Sequence, residues 1–137
     1  MRSVRLFVVL FVVGMLTVAG TIPAAATSAT DSTNPDVTVS VSVSPDTATA
    51  GDTVTASASL TNNTSRRLLL FVRVRLEIPG LPILREAKFV VLRRNQTVSI
   101  SRDVTVQPFF PLGTYSLTVT ATGRNGTSSA TATFDVV

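Results

Sequence analysis

The chain has 137 residues, with twelve Lys or Arg against eight Asp or Glu and a formal charge of +4. It has no cysteine, no histidine and no tryptophan. Those absences exclude disulfides, Ser–His–Asp and Cys–His nucleophilic sites and nearly all zinc centres, so a small fold here must be held by packing, with or without help from a partner or neighbouring copies.

The first segment is basic (Met1-Arg2-Ser3-Val4-Arg5), then almost wholly apolar over residues 6–18 (LFVVLFVVGMLTV). Gly20 and Pro23 follow, and Ala24-Ala25-Ala26 supplies small residues. That order is the pattern of a secretory signal peptide over residues 1–26, cleaved after Ala26. A secreted or cell-envelope location is therefore expected. The apolar core is short for a membrane span of about 20 residues, and the membrane becomes a partner only if the segment stays uncleaved. No cysteine follows it, which excludes lipid attachment there. Residues 27–35 (TSATDSTNP) are small and polar and read as a flexible leader.

From residue 36 to residue 137 the pattern has period two. Residues 36–44 place Val37, Val39, Val41 and Val43 on one face. Residues 53–61 place Val54, Ala56, Ala58 and Leu60 on one face. Residues 67–78 put Val72, Val74 and Leu76 inward, and Arg73, Arg75 and Glu77 outward. The turn signal Pro79-Gly80-Leu81-Pro82 follows. Residues 83–92 return with Ala87, Phe89 and Val91 as the expected buried face. That choice leaves Lys88, Val90 and Leu92 outward. The next segment carries Val98, Ile100, Val104 and Val106 on one parity. Arg102 shares that parity, which predicts a bulge or a place at the sheet margin. Residues 113–121 put Tyr115, Leu117, Val119 and Ala121 inward, the hairpin signal GRNG follows, and residues 128–137 close with Ala130, Ala132, Phe134 and Val136. Seven strands with regular turn signals, rich in Val, Thr and Ser, predict an all-β sandwich.

Gly113-Thr114-Tyr115-Ser116-Leu117-Thr118-Val119 follows the proline-containing loop Pro108-Phe109-Phe110-Pro111-Leu112. With Gly51-Asp52-Thr53-Val54 and Asn62-Asn63, these residues carry a resemblance. The chain resembles the immunoglobulin-like sandwiches of secreted bacterial and archaeal proteins, in the manner of cell-adhesion-related and fibronectin-type-III-like domains. The resemblance covers residues 36–137. It implies seven strands in two sheets, A-B-E and C′-C-F-G, and a tyrosine corner at Tyr115. It leaves function open, since such folds host many roles.

No catalytic, cofactor or metal set is expected. Lys88 has no turn serine beside it. Glu77 and Glu86 flank the proline turn and are read as cross-strand partners of arginine rather than an acid–base pair. Asp36, Asp46 and Asp52 fall near one end without an oxygen-rich loop motif. Four Asn-x-Ser/Thr sequons, at Asn62, Asn63, Asn95 and Asn125, all lie at strand ends or turns.

The charge pattern says more. Eight of the twelve basic residues lie between Arg66 and Arg94, opposed only by Glu77 and Glu86. The candidate interaction surface is accordingly the C–C′ unit: Arg73, Arg75 and Lys88 beside the outward Leu69 and Phe71. Such a surface suits a protein partner or an anionic surface polymer, with no specific nucleic acid. The alternative is an inhibitor or accessory subunit of an exported enzyme, acting through Phe109 and Phe110.

Overall fold

The computed structural model describes residues 34–137 and the backbone of Ala29–Ser32. The signal peptide expected over residues 1–26 lies outside the described residues. Among these the chain forms nine strands and no helix. They are β1 (Ala29–Ser32), β2 (Val37–Ser44), β3 (Thr47–Ala48), β4 (Thr53–Asn62), β5 (Leu68–Glu77), β6 (Leu84–Leu92), β7 (Thr97–Thr105), β8 (Gly113–Gly123) and β9 (Gly126–Val136).

Three strands make one sheet in the order β2-β4-β7, and the other runs β1-β9-β8-β5-β6, with β3 added parallel to β9. These are the A-B-E and C′-C-F-G sheets expected from the sequence, with two short strands added along β9. The valines of β2, the even residues of β4 and the alternate apolar residues of β5, β8 and β9 meet between the sheets. The architecture is an immunoglobulin-like β-sandwich.

Local chemistry explains the joints. Ile78-Pro79-Gly80-Leu81 closes with Leu81 N–H donating to the Ile78 carbonyl at 3.1 Å, and Gly80 has φ +72. Proline and then a left-handed glycine is what a type II turn demands. Gly113 opens β8 at φ +125, and a β-carbon there would sit 2.8 Å from Pro79 Cγ. Both the backbone angle and the close approach of Pro79 therefore require glycine. Arg102 keeps register opposite Ala56 in an unbroken β4–β7 ladder. There is no bulge, and Arg102 lies at the margin because β7 is an edge strand.

The stretch expected to be a flexible leader is partly built in. Ala29–Ser32 pair antiparallel with β9, from Thr131 to Ser128. Asn34 is buried, and its Nδ2 donates to the Gly126 carbonyl at 3.1 Å. Its Oδ1 accepts from Asp36 N–H at 3.0 Å. A polar segment without apolar mass is held here by backbone pairing and one anchored amide.

Tyr115 lies on β8 in the core, beside β9. Its ring is 2% exposed and packs 4.9 Å from Phe134, while its hydroxyl donates to the Pro111 carbonyl at 2.8 Å. Burial raises the phenol above its ordinary 10.0. A raised acid pKa means stability is intact below about pH 10 and falls as pH rises through the unfolded and then the folded value. Tyr115→Phe is expected to lower stability by about 1–3 kcal/mol, because the Pro111 carbonyl loses its donor. An unchanged urea midpoint would show that the bond contributes nothing.

Candidate interaction surface

The outer face of the large sheet is set by the β5–β6 and β5–β8 registers. Arg73 stands between Ala87 of β6 and Thr120 of β8, and Arg75 between Arg85 and Thr118. Paired residues in an antiparallel ladder share a face, so Arg73, Arg75 and Arg85 form one cluster over the threonines of β8. All three arginines are exposed. Glu77 shares the face and binds Arg75, Oε1 to Nη2 at 2.7 Å, with both side chains about half exposed. That exposure makes the pair weak. The hydroxyls extend onto β9, where Thr118 and Thr131 are bonded at 2.9 Å. The face thus offers guanidinium donors above a floor of hydroxyls.

An apolar patch continues this face toward the other end of β5. Leu69 pairs with Val91 and Phe71 with Phe89. Leu69, Phe89 and Val91 are 61%, 64% and 51% exposed, and the Phe71 and Phe89 rings lie 5.0 Å apart. Leu69, Phe71, Arg73 and Arg75 are therefore placed together as the sequence suggested.

Strand β6 is turned over relative to the sequence reading. Val90 and Leu92 are buried, at 5% and 0% exposure, whereas Phe89 and Val91 face out. The cause is the ladder. Leu68, Leu70 and Val72 point inward and pair with Leu92, Val90 and Lys88, so the even positions of β6 must share their face. Lys88 consequently leaves the arginine face and lies half-buried at the inner rim with Glu86. Glu77 and Glu86 point to opposite sides of the sheet, and no carboxylate pair forms. The alternation misled because both parities of β6 hold large apolar residues, and the inner one also holds Glu86 and Lys88.

The Pro108–Pro111 loop also differs from expectation. Phe109 is 59% exposed, but Phe110 is 9% exposed and enters the core. The two rings meet edge to face at 5.3 Å. Beneath Phe110 lies an apolar void of about 20 Å³ bounded by Val54, Val106, Tyr115 and Leu117, too small for an organic ligand and without polar groups. The loop therefore presents one aromatic ring, not two.

Sequence reasoning missed Asn62. It read as the end of a strand and half of a sequon, yet it is 0% exposed. Its Nδ2 donates to the carbonyls of Arg66 at 2.7 Å and Arg93 at 2.9 Å. Its Oδ1 accepts from the Thr64 amide at 2.9 Å and hydroxyl at 2.7 Å. One side chain thereby ties the loops at the base of β5 and β6. The amides of the sequon residues Asn63 and Asn125 also carry bonds, to Thr38 and Asp36.

The aspartates are dispersed. Asp36 is 3.5 Å from Arg66 and accepts from Asn125. Asp52 accepts from the Thr49 amide at 2.8 Å and hydroxyl at 3.1 Å, and those bonds hold its carboxyl below the ordinary 3.8. Among the described residues, no group of three acidic side chains gathers to hold a metal.

No family model matches the chain, and no curated protein matches it. Solved structures do resemble it in fold. The CARDB domain of the PF1109 protein from Pyrococcus furiosus, in complex with di-metal ions, is 20% identical with a TM-score of 0.53, over 75% of this chain and 89% of that one. The alkylpurine DNA glycosylase AlkC of Pseudomonas fluorescens is 16% identical with a TM-score of 0.56, over 74% of this chain and 30% of that one. A β-glucosidase from Erythrobacter marinus is 10% identical with a TM-score of 0.50, over 74% of this chain and 15% of that one. In the last two the match spans a minor part of a much longer chain. At these identities the likeness is one of fold.

Proposed function

We propose that the protein is an exported, non-enzymatic binding module that recognises an anionic surface polymer or acidic partner through the outer face of β5, β6 and β8. The observation that carries this reading is the cluster of Arg73, Arg75 and Arg85 over Thr118 and Thr120, bordered by Leu69, Phe71, Phe89 and Val91. Guanidinium groups deliver paired donors to carboxylate, sulfate or phosphate oxygens. The adjoining apolar patch adds contact that salt does not screen. A location outside the cytoplasm is supported by the basic, apolar and small-residue order of the N-terminus. A kinship with cell-adhesion-related domains draws support from the CARDB likeness, which takes in 89% of that chain. The non-enzymatic reading rests on the lack of histidine and cysteine and on the separation of Glu77 from Glu86. No sequence-specific role toward nucleic acid is part of it.

The test is salt-dependent binding to an acidic polysaccharide and to vesicles containing anionic lipid. Arg73→Glu with Arg75→Glu should weaken binding most at low salt, where screening is least. The fold should survive, since exposed substitutions usually change stability by no more than about 0.5 kcal/mol each. Unchanged binding by the folded double variant would reduce the arginines to a solvated face.

One observation favours a second reading. Phe109 is exposed beside Leu112, and the β-glucosidase likeness places a similar fold inside a larger enzyme. An accessory role toward an exported enzyme would use Phe109 as its contact. Phe109→Ser would then abolish binding to that enzyme and leave polyanion binding intact.

A further inference from the structure

The two charges that β6 carries on its inner side have a further consequence. Strand β6 ends the large sheet, and among the described residues its ladder partner is β5 on one side only. An open edge of nine residues is a template for another strand, and charged side chains on the inner face are a device that blocks such pairing. Glu86 and Lys88 block it only where they meet apolar residues or like charges. In one register they do neither.

We infer that a second copy of this chain pairs antiparallel with β6, with Ala87 on the two-fold axis. Position i then faces position 174 minus i of the partner copy. Glu86 lies opposite Lys88 and Lys88 opposite Glu86, so both rim charges are matched across the axis. On the outer face Arg85 lies opposite Phe89 on each side, which sets a guanidinium against an exposed ring. On the inner face Leu84 lies opposite Val90. Neighbouring registers fail. Centring on Glu86 or on Lys88 puts like charges directly opposite, and centring on Phe89 sets Lys88 against Val90 and Glu86 against Leu92. Opposite charges across a ladder stabilise it and like charges destabilise it, so the rim charges select one register.

The contact is isologous and uses up the β6 edge of both copies, so assembly through it stops at two. The outer faces become one continuous surface carrying two arginine clusters. A doubled cluster binds a repeating polymer more tightly than either face alone. The dimer itself stands on the edge geometry and does not require the proposed ligand.

The absence of cysteine makes the register directly readable in the full chain. Directly opposed residues have Cα atoms about 4.5–5.5 Å apart, within the span of a disulfide. Ala87→Cys should therefore form a covalent dimer under mild oxidation. Phe89→Cys and Val91→Cys should not, because residue 89 and its symmetry mate stand about 13 Å apart along the strand at ~3.3 Å per residue. In sedimentation, Glu86→Lys should raise the dimer dissociation constant roughly tenfold, since two symmetric pairs turn from attraction to repulsion. The swap E86K/K88E should restore it, because opposite charges again face each other. A monomeric Ala87→Cys protein, equal cross-linking at position 89, or a swap as weak as the single change would overturn the inference.

Discussion

Replacing Asn62 by alanine is expected to cost about 2–4 kcal/mol, from losing four side-chain hydrogen bonds at roughly 0.5–1.5 kcal/mol each. The side chain is fully buried and spans three segments. Removing it leaves the Thr64 amide without its bond, while the Arg93 carbonyl keeps a bond from the Gln96 amide at 3.1 Å and the Arg66 carbonyl one from the Thr64 hydroxyl at 3.0 Å. Asn62→Asp should do almost as badly, because a carboxylate can accept from Thr64 but cannot donate to either carbonyl. Urea unfolding gives the comparison, and Asn63→Ala, at an exposed position, serves as the control. A cost for Asn62→Ala no greater than that of the control would mean the amide is not the tie described.

The second large effect discriminates between the two faces of β6. Leu92→Ala should destabilise by about 2–5 kcal/mol, as deletions of buried leucine do. Val91→Ala, one residue away and 51% exposed, should stay within about 0.5 kcal/mol. Had the strand kept the face its alternation suggested, the order would reverse. The pair of urea midpoints thus reads the parity of one strand in solution.

That strand shows where sequence periodicity stops being sufficient. In β2, β4 and β8 one parity is apolar and the other is Ser or Thr, so the buried face could be read directly, and Val37, Leu60 and Leu117 are buried as the alternation implies. In β6 both parities are apolar, and only pairing to Leu68, Leu70 and Val72 decides between them. The turn chemistry at Pro79-Gly80 was legible because it is local. Asn62 and Asn34 were not, because their partners lie up to 31 and 92 positions away along the chain. Phe110 was misjudged for a related reason. Two phenylalanines between prolines look alike, and only the closure of the loop over Tyr115 sends one inward. The arginine cluster was legible in part. Arg73 and Arg75 followed from their own strand, while Arg85 joined them and Lys88 left them once the ladder set the face.

Under the proposed function, binding depends on where the charge lies rather than on its amount. Arg73→Glu with Arg75→Glu removes four units from the formal charge of +4, and so does Arg102→Glu with Thr97→Glu and Thr105→Glu. The first pair lies on the proposed face. The second set lies on β7, in the other sheet. Retention of the two folded variants on an immobilised acidic polysaccharide, followed against salt, separates the possibilities. The first variant should elute near the void at low salt while the second keeps most of the wild-type retention, with a steeper salt dependence for the protein that holds the face intact. Equal loss from the two variants would show that net charge alone governs binding and would contradict a recognition surface on β5, β6 and β8.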